Sequence, residues 1–114
     1  MLSATRTTVL AVGQHRGQPR IYLEGRWLVR AGFAPGGNYR ATYAHHQITL
    51  DLATDGRIIS GKRSNAHGVI DLNGPEIHDA FEVHQISRVL VRTDAGRIFI
   101  TPSWTILRKA QRTP

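Results

Sequence analysis

An internal repeat limits the folds open to this chain more than any other feature of its sequence. The segment Val69–Gly74 (VIDLNG) matches Arg20–Gly25 (RIYLEG) at a spacing of 49 residues. Further apolar matches, at this spacing or one residue short of it, pair Leu28 with Ile77, Ala31 with Ala80 and Phe33 with Phe81. This recurring order predicts one structural unit that occurs twice, as repeat one at residues 9–52 and repeat two at residues 57–101.

Each repeat is predicted to place strands around one short helix. Arg20–Leu23 has the composition of a strand, and Arg26–Phe33 predicts a helix that is stopped by a glycine. Alternating apolar and polar residues predict a hairpin formed by Asn38–Ala44 and Ile48–Leu52. In the second repeat we expect strands at residues 69–72, 87–92 and 97–100, and a helix that Pro75 opens. The unit is therefore β-α-β-β.

The remaining segments are predicted to be ends and connections. Met1–Thr8 is polar and is expected to fray, ahead of a short strand at Val9–Val12. Glycines and a proline predict a loop at Gly13–Pro19, and Gly61–Gly68 is expected to be the equivalent loop of repeat two. The basic C-terminal tail at residues 102–114 includes Trp104–Arg112, which is open to two interpretations, a short docked helix or a loosely held segment.

The length of 114 residues suits a single domain, which we expect to be mostly β with short helices and to span residues 1–114. One repeat alone is too small to bury a core. Two repeats related by a two-fold axis could share one, as two subunits of a dimer do. The chain is therefore expected to be a monomer built like a dimer, or a homodimer.

The charge of the chain favours a nucleic-acid partner. The net charge is +7 and the pI is about 11.1, and arginine supplies thirteen of the fifteen basic residues. Arginine forms bidentate hydrogen bonds with phosphate and with guanine, so this bias points to nucleic acid, with a basic protein that has no such partner as the alternative. The absence of cysteine excludes disulfides and thiolate metal sites. We see no signal peptide or apolar membrane span, and expect a cytoplasmic protein with no membrane association.

The first repeat contains a series of short motifs: P-x-I-x-L in a strand, then G-x-W-L, A-G-F and a glycine turn ahead of the β-hairpin. The residues of these motifs are Pro19, Ile21, Leu23, Gly25, Trp27, Leu28, Ala31, Gly32, Phe33 and Gly36. In this series the first repeat resembles the SymE family of small type I toxins. SymE-like proteins resemble the AbrB/MazE fold, and residues 69–100 look like a more diverged copy of the same unit.

This resemblance implies a fold and two different activities. The implied fold is a swapped-hairpin β-barrel in which a β-α-β-β unit is used twice, here within a single chain. AbrB-like proteins bind DNA through arginines on an exposed face, whereas SymE-like proteins are regarded as toxins that act on RNA. The combination of a SymE-like first repeat with a more diverged second copy also looks like small two-repeat bacterial proteins found near DNA-modification genes. Fold alone does not decide between these activities.

Basic residues of the first repeat and of the two equivalent loops are the candidates for binding nucleic acid. Arginines spread over one rigid face can neutralise several phosphates and reach the edge of a groove. If the two-fold axis holds, we expect both loops to lie on one side of the protein and to extend the same surface. The candidates are Arg16, Arg20, Arg26, Arg30, Lys62 and Arg63. The alternative is that these are ordinary solvated side chains.

The second helix differs from the first in its charge. Glu76 and Asp79 stand where the first repeat has an apolar and a basic residue, and their carboxylates would repel phosphate. We therefore expect the first repeat to bind nucleic acid, and the second helix to pack internally or to contact a protein partner.

The sequence signals for catalysis and for metal binding are weaker than those for nucleic-acid binding. We expect no catalytic residues, and the alternative is ribonuclease chemistry by His15, Lys62 and His67, if the two loops converge. His45 and His46 lack further ligands nearby in the sequence, so we predict no metal site and no cofactor. The sequence therefore predicts a nucleic-acid-binding protein, with duplex DNA favoured, in a regulatory, toxin–antitoxin or defence setting. The alternatives are a SymE-like toxin acting on RNA and an adaptor protein of a DNA-modification or defence complex.

Overall fold

The protein folds into two antiparallel sheets with two short helices. A computed structural model describes residues 6–62, 64–81 and 87–103, and at residues 62–66 it describes no side chains. In these ranges the strands are β1 (Arg6–Ala11), β2 (Gly13–His15), β3 (Gln18–Gly25), β4 (Asn38–Ala44), β5 (Gln47–Ala53), β6 (Arg57–Ile58), β7 (Ser60–Lys62), β8 (Ser64–Asn73), β9 (Arg88–Asp94) and β10 (Arg97–Pro102). The helices are α1 (Arg26–Arg30) and α2 (Pro75–Phe81). The prediction of a mostly β protein with short helices is confirmed.

The order of the strands interleaves the two repeats. The six-stranded sheet has the order β1-β9-β10-β5-β4-β6, and the four-stranded sheet has the order β2-β3-β8-β7. The first strand of each repeat pairs with the hairpin of the other repeat, since β1 lies beside β9 and β6 lies beside β4. Within the described residues the two sheets stay separate and open, so no closed barrel is seen and the predicted swapped-hairpin barrel is not confirmed.

The registers of the two central strand pairs are symmetric. Between β3 and β8, Ile21 lies opposite Leu72 and Leu23 lies opposite Ile70, which is a two-fold arrangement at the spacing of 49 residues. Between β5 and β10 the same holds at a spacing of 50, because Ile48 and Leu50 lie opposite Ile100 and Ile98. A pseudo-two-fold axis therefore passes through the Tyr22–Asp71 pair and the Thr49–Phe99 pair.

Each hairpin turn docks on the helix of the other repeat. The N–H of His46, in the β4–β5 turn, donates to the carbonyl oxygen of Ala80 at the end of α2, at 2.7 Å. The N–H of Gly96, in the β9–β10 turn, donates to the carbonyl oxygen of Ala31 after α1, at 2.8 Å. These bonds satisfy carbonyl groups that a helix end leaves without partners. The hairpins are equivalent at a spacing of 50, so Arg88 at the start of β9 corresponds to Asn38 at the start of β4.

Both repeats contribute to one apolar core. Alternate residues of the central strands point inward, and both helices add one apolar face. The largest fully buried side chains include Tyr39, Phe33, Phe81, Ile21, Leu23, Leu28, Ile48, Leu50, Ile70, Leu72 and Ile77. Pairs of residues that matched in the sequence, such as Leu28 with Ile77 and Phe33 with Phe81, are buried together in this core.

Three segments predicted to be irregular are partly strands. Arg6–Thr8, expected to fray, belongs to β1 and pairs with β9. The expected loop at Gly13–Pro19 is a tight hairpin of β2 and β3, and the expected loop at Gly61–Gly68 holds the end of β7 and the start of β8. Of these strands, β1, β2 and β7 are at the edges of their sheets. The side chains of Arg6, Thr7 and β2 are exposed, so they leave no alternating apolar pattern to read. Trp104–Arg112 lies outside the described residues.

Candidate nucleic-acid interface

The helix α1 presents two arginines at one end of the four-stranded sheet. Gly25 ends β3 with a φ of 140°, a value that disfavours residues with a side chain, and the chain turns directly into α1. Leu28 faces the core and is fully buried, whereas Arg26 and Arg30 are exposed on the outer side of the helix. Neither guanidinium forms an ion pair with a described residue, so both charges face solvent.

A third arginine lies at the same end. The Arg6 guanidinium, at the start of β1, lies 5.4 Å from the centre of the Trp27 ring. The Trp27 Nε1–H donates to the carbonyl oxygen of Glu24 at 2.9 Å, which holds the indole against the end of β3. Arg6 was not a candidate from the sequence, because its segment was expected to fray. Its only sequence signal is the strand composition of the residues that follow it.

The β7–β8 turn also lies at this end. Gly25, the last residue of β3, is paired with Gly68 of β8. Because β8 begins at Ser64, four residues before Gly68, the β7–β8 turn extends beyond the end of β3 at which α1 starts. Lys62 lies in this turn, paired with Ser64. Arg63 lies outside the described residues. We call α1, Arg6 and the β7–β8 turn the α1 end.

The other predicted basic residues lie at the opposite end. Arg16 is in the β2–β3 turn, and the register of β3 with β8 places this turn beyond Asn73, where α2 begins. Arg20 pairs with Asn73 in the ladder and therefore also belongs to this half of the sheet. We call α2, the β2–β3 turn and the β4–β5 turn the α2 end. The structure therefore divides the five candidates that it describes between two ends, with Arg26, Arg30 and the Lys62 backbone at the α1 end and Arg16 and Arg20 at the α2 end.

The charge of Arg20 is neutralised within the protein. Its Nε and Nη2 donate to the two carboxylate oxygens of Asp71 at 2.9 and 2.8 Å, and its guanidinium lies 4.8 Å from the centre of the Tyr22 ring. The hydrogen bond from Arg20 lowers the pKa of Asp71, and the same bond raises the pKa of Arg20. A bidentate pair of this kind leaves Arg20 less available to phosphate than Arg26 or Arg30.

The structure does not bring the candidate ribonuclease residues together. His15 pairs with Gln18 at the α2 end, whereas His67 lies just beyond the Gly25–Gly68 pair at the α1 end. Eight residues of strand separate these levels, which is a distance on the order of 25 Å at about 3.4 Å per residue. Lys62 lies at the His67 end. The expected convergence of the two loops is therefore wrong, because antiparallel pairing of β3 with β8 places them at opposite ends.

The α2 end contains an acidic cavity. It has a volume of about 330 Å³ and is lined by Tyr43, Ala44, His45, Glu76, Asp79 and Ala80. Both carboxylates are exposed, as expected for the outer side of α2. Burial raises the pKa of the Tyr43 hydroxyl, a shift that Arg57 opposes and that the Glu76 carboxylate adds to. This cavity favours a positively charged group.

The adjacent histidines form the two-residue β4–β5 turn. The rings of His45 and His46 lie with their centres 3.9 Å apart, and His46 has a left-handed φ of 59°. No three His, Asp or Glu side chains cluster as metal ligands in the part of the chain that the structure describes. Over the same residues, no helix has the length and apolar character needed to cross a membrane.

Comparison of the chain with protein-family models, with curated proteins and with solved structures gives no match. Its geometry and chemistry are therefore the basis on which a function can be proposed.

Proposed function

We propose that this protein binds nucleic acid, with duplex DNA favoured, through the α1 end. The observation that carries the proposal is the grouping of Arg6, Arg26 and Arg30 on β1 and α1, with the Lys62 backbone at the same end of the four-stranded sheet. A contribution from Arg63 stays a prediction from the sequence. Arg16 and Arg20 are left out of the proposed surface because they belong to the α2 end.

Rigid placement of these arginines suits contact with a phosphate backbone. Arg6 is positioned by β1 and by the Trp27 ring, and the helix holds Arg26 and Arg30 four residues apart on one exposed side. Guanidinium groups placed in this way can neutralise neighbouring phosphates and release their counterions. Such contacts fix the position of a protein on DNA, whereas base contacts would be needed to read a sequence.

We also propose that the fold is a tandem form of the AbrB-like swapped-hairpin architecture, with repeat one at residues 9–52 and repeat two at 57–101. Three features support this proposal. Each repeat supplies its first strand to the hairpin of the other, the β3–β8 and β5–β10 registers are symmetric, and each hairpin turn docks on the other repeat's helix.

A salt titration tests the proposed function. Binding of a labelled DNA duplex would be measured by fluorescence anisotropy over a range of salt concentrations, for the parent and for the double variant Arg26→Ala/Arg30→Ala. If both arginines contact phosphates, the variant loses affinity and the slope of log K against log salt becomes shallower by about 1.8.

The matched control is Arg16→Ala/Arg20→Ala, which removes two arginines from the α2 end. It should keep more of the parent's affinity and slope than the α1 variant. An α1 variant that binds duplex DNA like its parent would refute the proposed surface. Single-stranded DNA and RNA in the same assay separate the DNA function from the RNA alternative, since tighter binding to RNA by the parent would overturn the preference for duplex DNA.

A further inference from the structure

The two halves of the six-stranded sheet differ at their edges. On one side β1 covers β9 along Arg88–Thr93. On the other side β6 pairs with β4 only at Asn38 and Tyr39, because the chain leaves β5 through a turn at residues 54–56. Within the described residues, the outer edge of β4 is therefore unpaired along Arg40–Tyr43. Alternate residues of such an edge direct both N–H and C=O groups outward.

Burial at equivalent positions shows the consequence of this missing strand. Val91 and Thr93 of β9, which is paired along its edge with β1, are 0% and 3% exposed. Their equivalents at the spacing of 50 residues, Ala41 and Tyr43, face the same core but are only half-buried. The inner face of β4 thus has apolar surface that an additional strand would cover, as β1 covers the equivalent surface of β9.

The end of this open edge meets the acidic cavity. In the covered half, Arg6 lies opposite Thr93 and its guanidinium reaches over Trp27. In the open half, Tyr43 is the equivalent of Thr93 at the hairpin spacing of 50 residues. Glu76 is the equivalent of Trp27 at the helix spacing of 49 residues. A residue of an added strand that lay opposite Tyr43 would therefore point into the cavity between two carboxylates.

We propose that the open edge of β4 and this cavity together bind an extended, basic segment of a partner protein. The segment adds an antiparallel strand beside Arg40–Tyr43 and places a lysine or arginine between Glu76 and Asp79. Two residues further along, an apolar side chain covers the partly exposed inner face of β4. The recognised pattern is basic-x-apolar. On β9, the chain's own β1 presents a related alternation of Arg6, Thr8 and Leu10, with a threonine at the middle position.

A partner protein fits this site better than a second copy of the chain. The chain's own β1 is already paired with β9, and a net charge of +7 opposes the association of two copies. Strand addition supplies affinity through the main chain, and the cavity supplies specificity for the charged side chain. The inference does not depend on DNA binding, because the site lies at the α2 end.

The test uses synthetic peptides as probes. An acetylated peptide with the sequence of residues 6–11 (RTTVLA) is titrated into the ¹⁵N-labelled full chain, and a second peptide carries R6E in the same sequence. We expect amide shift changes at Arg40–Tyr43 and along α2 with the arginine peptide, in the range of millimolar affinity, and at least a tenfold weaker response with the glutamate peptide. Equal responses, or changes located only at the α1 end, would overturn the proposal.

Two protein variants complete the test. Glu76→Gln/Asp79→Asn removes both charges from exposed positions, so folding should be kept, and affinity for the arginine peptide should fall about tenfold. Asp94→Asn, the control, removes an exposed carboxylate beside the covered edge and should leave affinity unchanged. Retained duplex DNA binding by the double variant would show that the two sites are separate. Concentration-dependent dimerisation of the parent that the double variant loses would assign the edge to a second copy and overturn the partner-protein proposal.

Discussion

Gly96 and His46 occupy the same position in two hairpin turns and share a left-handed backbone, with φ of 75° and 59°. Each is the second residue of its turn, and each donates its N–H to the carbonyl oxygen of a residue at a helix end. Only the β9–β10 turn has glycine at this position, where a left-handed conformation causes no steric conflict. The β4–β5 turn holds the same geometry with a histidine.

Gly96→Ala should therefore lower the free energy of unfolding by about 1–2 kcal/mol, the strain of an L-residue in this conformation. Steric conflict adds little, because an added Cβ would lie 3.7 Å from the nearest atom, on Leu52. Urea unfolding followed by circular dichroism measures the change. Gly13→Ala, at an exposed glycine without a left-handed φ, is the control and should change stability by less than about 0.5 kcal/mol.

Gly25 and Gly74 precede the two helices in equivalent positions, with φ of 140° and 130°. Both Gly→Ala variants should lose stability through backbone strain, by about 1–3 kcal/mol. Gly25→Ala should lose more, because its Cβ would lie 2.7 Å from Cδ1 of the Trp27 ring. At Gly74 the conflicting atom is the carboxylate oxygen of Glu76, at 2.5 Å, and a flexible side chain can move away.

Comparing the two variants in parallel urea titrations tests this order. A larger loss for Gly74→Ala would show that Trp27 can move as freely as Glu76, and would contradict the view that the indole is held by its hydrogen bond to Glu24.

The Arg20–Asp71 pair should make stability depend on acidic pH. Because the folded pKa of Asp71 is depressed, the unfolded chain takes up its proton first as pH falls. The stabilisation is then complete above the unfolded pKa of about 3.9 and is lost as pH falls through the lower folded value. Asp71→Asn should unfold more easily than the parent at pH 7, and the difference should narrow below pH 4.

Thermal unfolding between neutral and acidic pH would measure this convergence. Asp79→Asn is the control, since Asp79 forms no ion pair with a described residue, and at pH 7 it should lose less stability than Asp71→Asn. A constant difference between Asp71→Asn and the parent would contradict the proposed linkage.

Val91 and Ala41 test the unequal coverage of the two strands that face the core. Val91→Thr places a hydroxyl in the fully buried core, where water is excluded, and should lower the free energy of unfolding by about 1–3 kcal/mol. Ala41→Thr places the same group on the half-buried β4, where solvent can reach it, and should change stability by less than about 0.5 kcal/mol. Equal losses in urea unfolding would indicate that the edge of β4 is covered.

Features encoded within short stretches could be predicted from the sequence. The β4–β5 hairpin was predicted at its observed place, because alternating residues and a two-residue turn define it locally. The helix after Gly25 was predicted from its composition and the glycine that follows it. The polar edge strands β2 and β7 were missed, since a strand whose side chains face solvent on both sides leaves no period of two in its hydrophobicity.

The grouping of the charged residues could not be predicted in the same way. Arg20 and Arg26 are six residues apart, yet one is paired with Asp71 and the other faces solvent at the opposite end of β3. The partner of Arg20 lies 51 residues away, and only the register of β3 with β8 brings it within reach. Arg6 acquires its place beside Trp27 through another long-range pairing, that of β1 with β9.

The sequence by itself determined the mostly β character, the matching apolar positions and the reversal of charge between Arg30 and Asp79, because these depend on residue type and spacing. Only the tertiary structure decided which arginines share a surface, that the histidines of the two loops stay apart, and that one edge of β4 is open. These properties depend on strand registers between distant segments, which are set by the packing of a common core and not by any local preference.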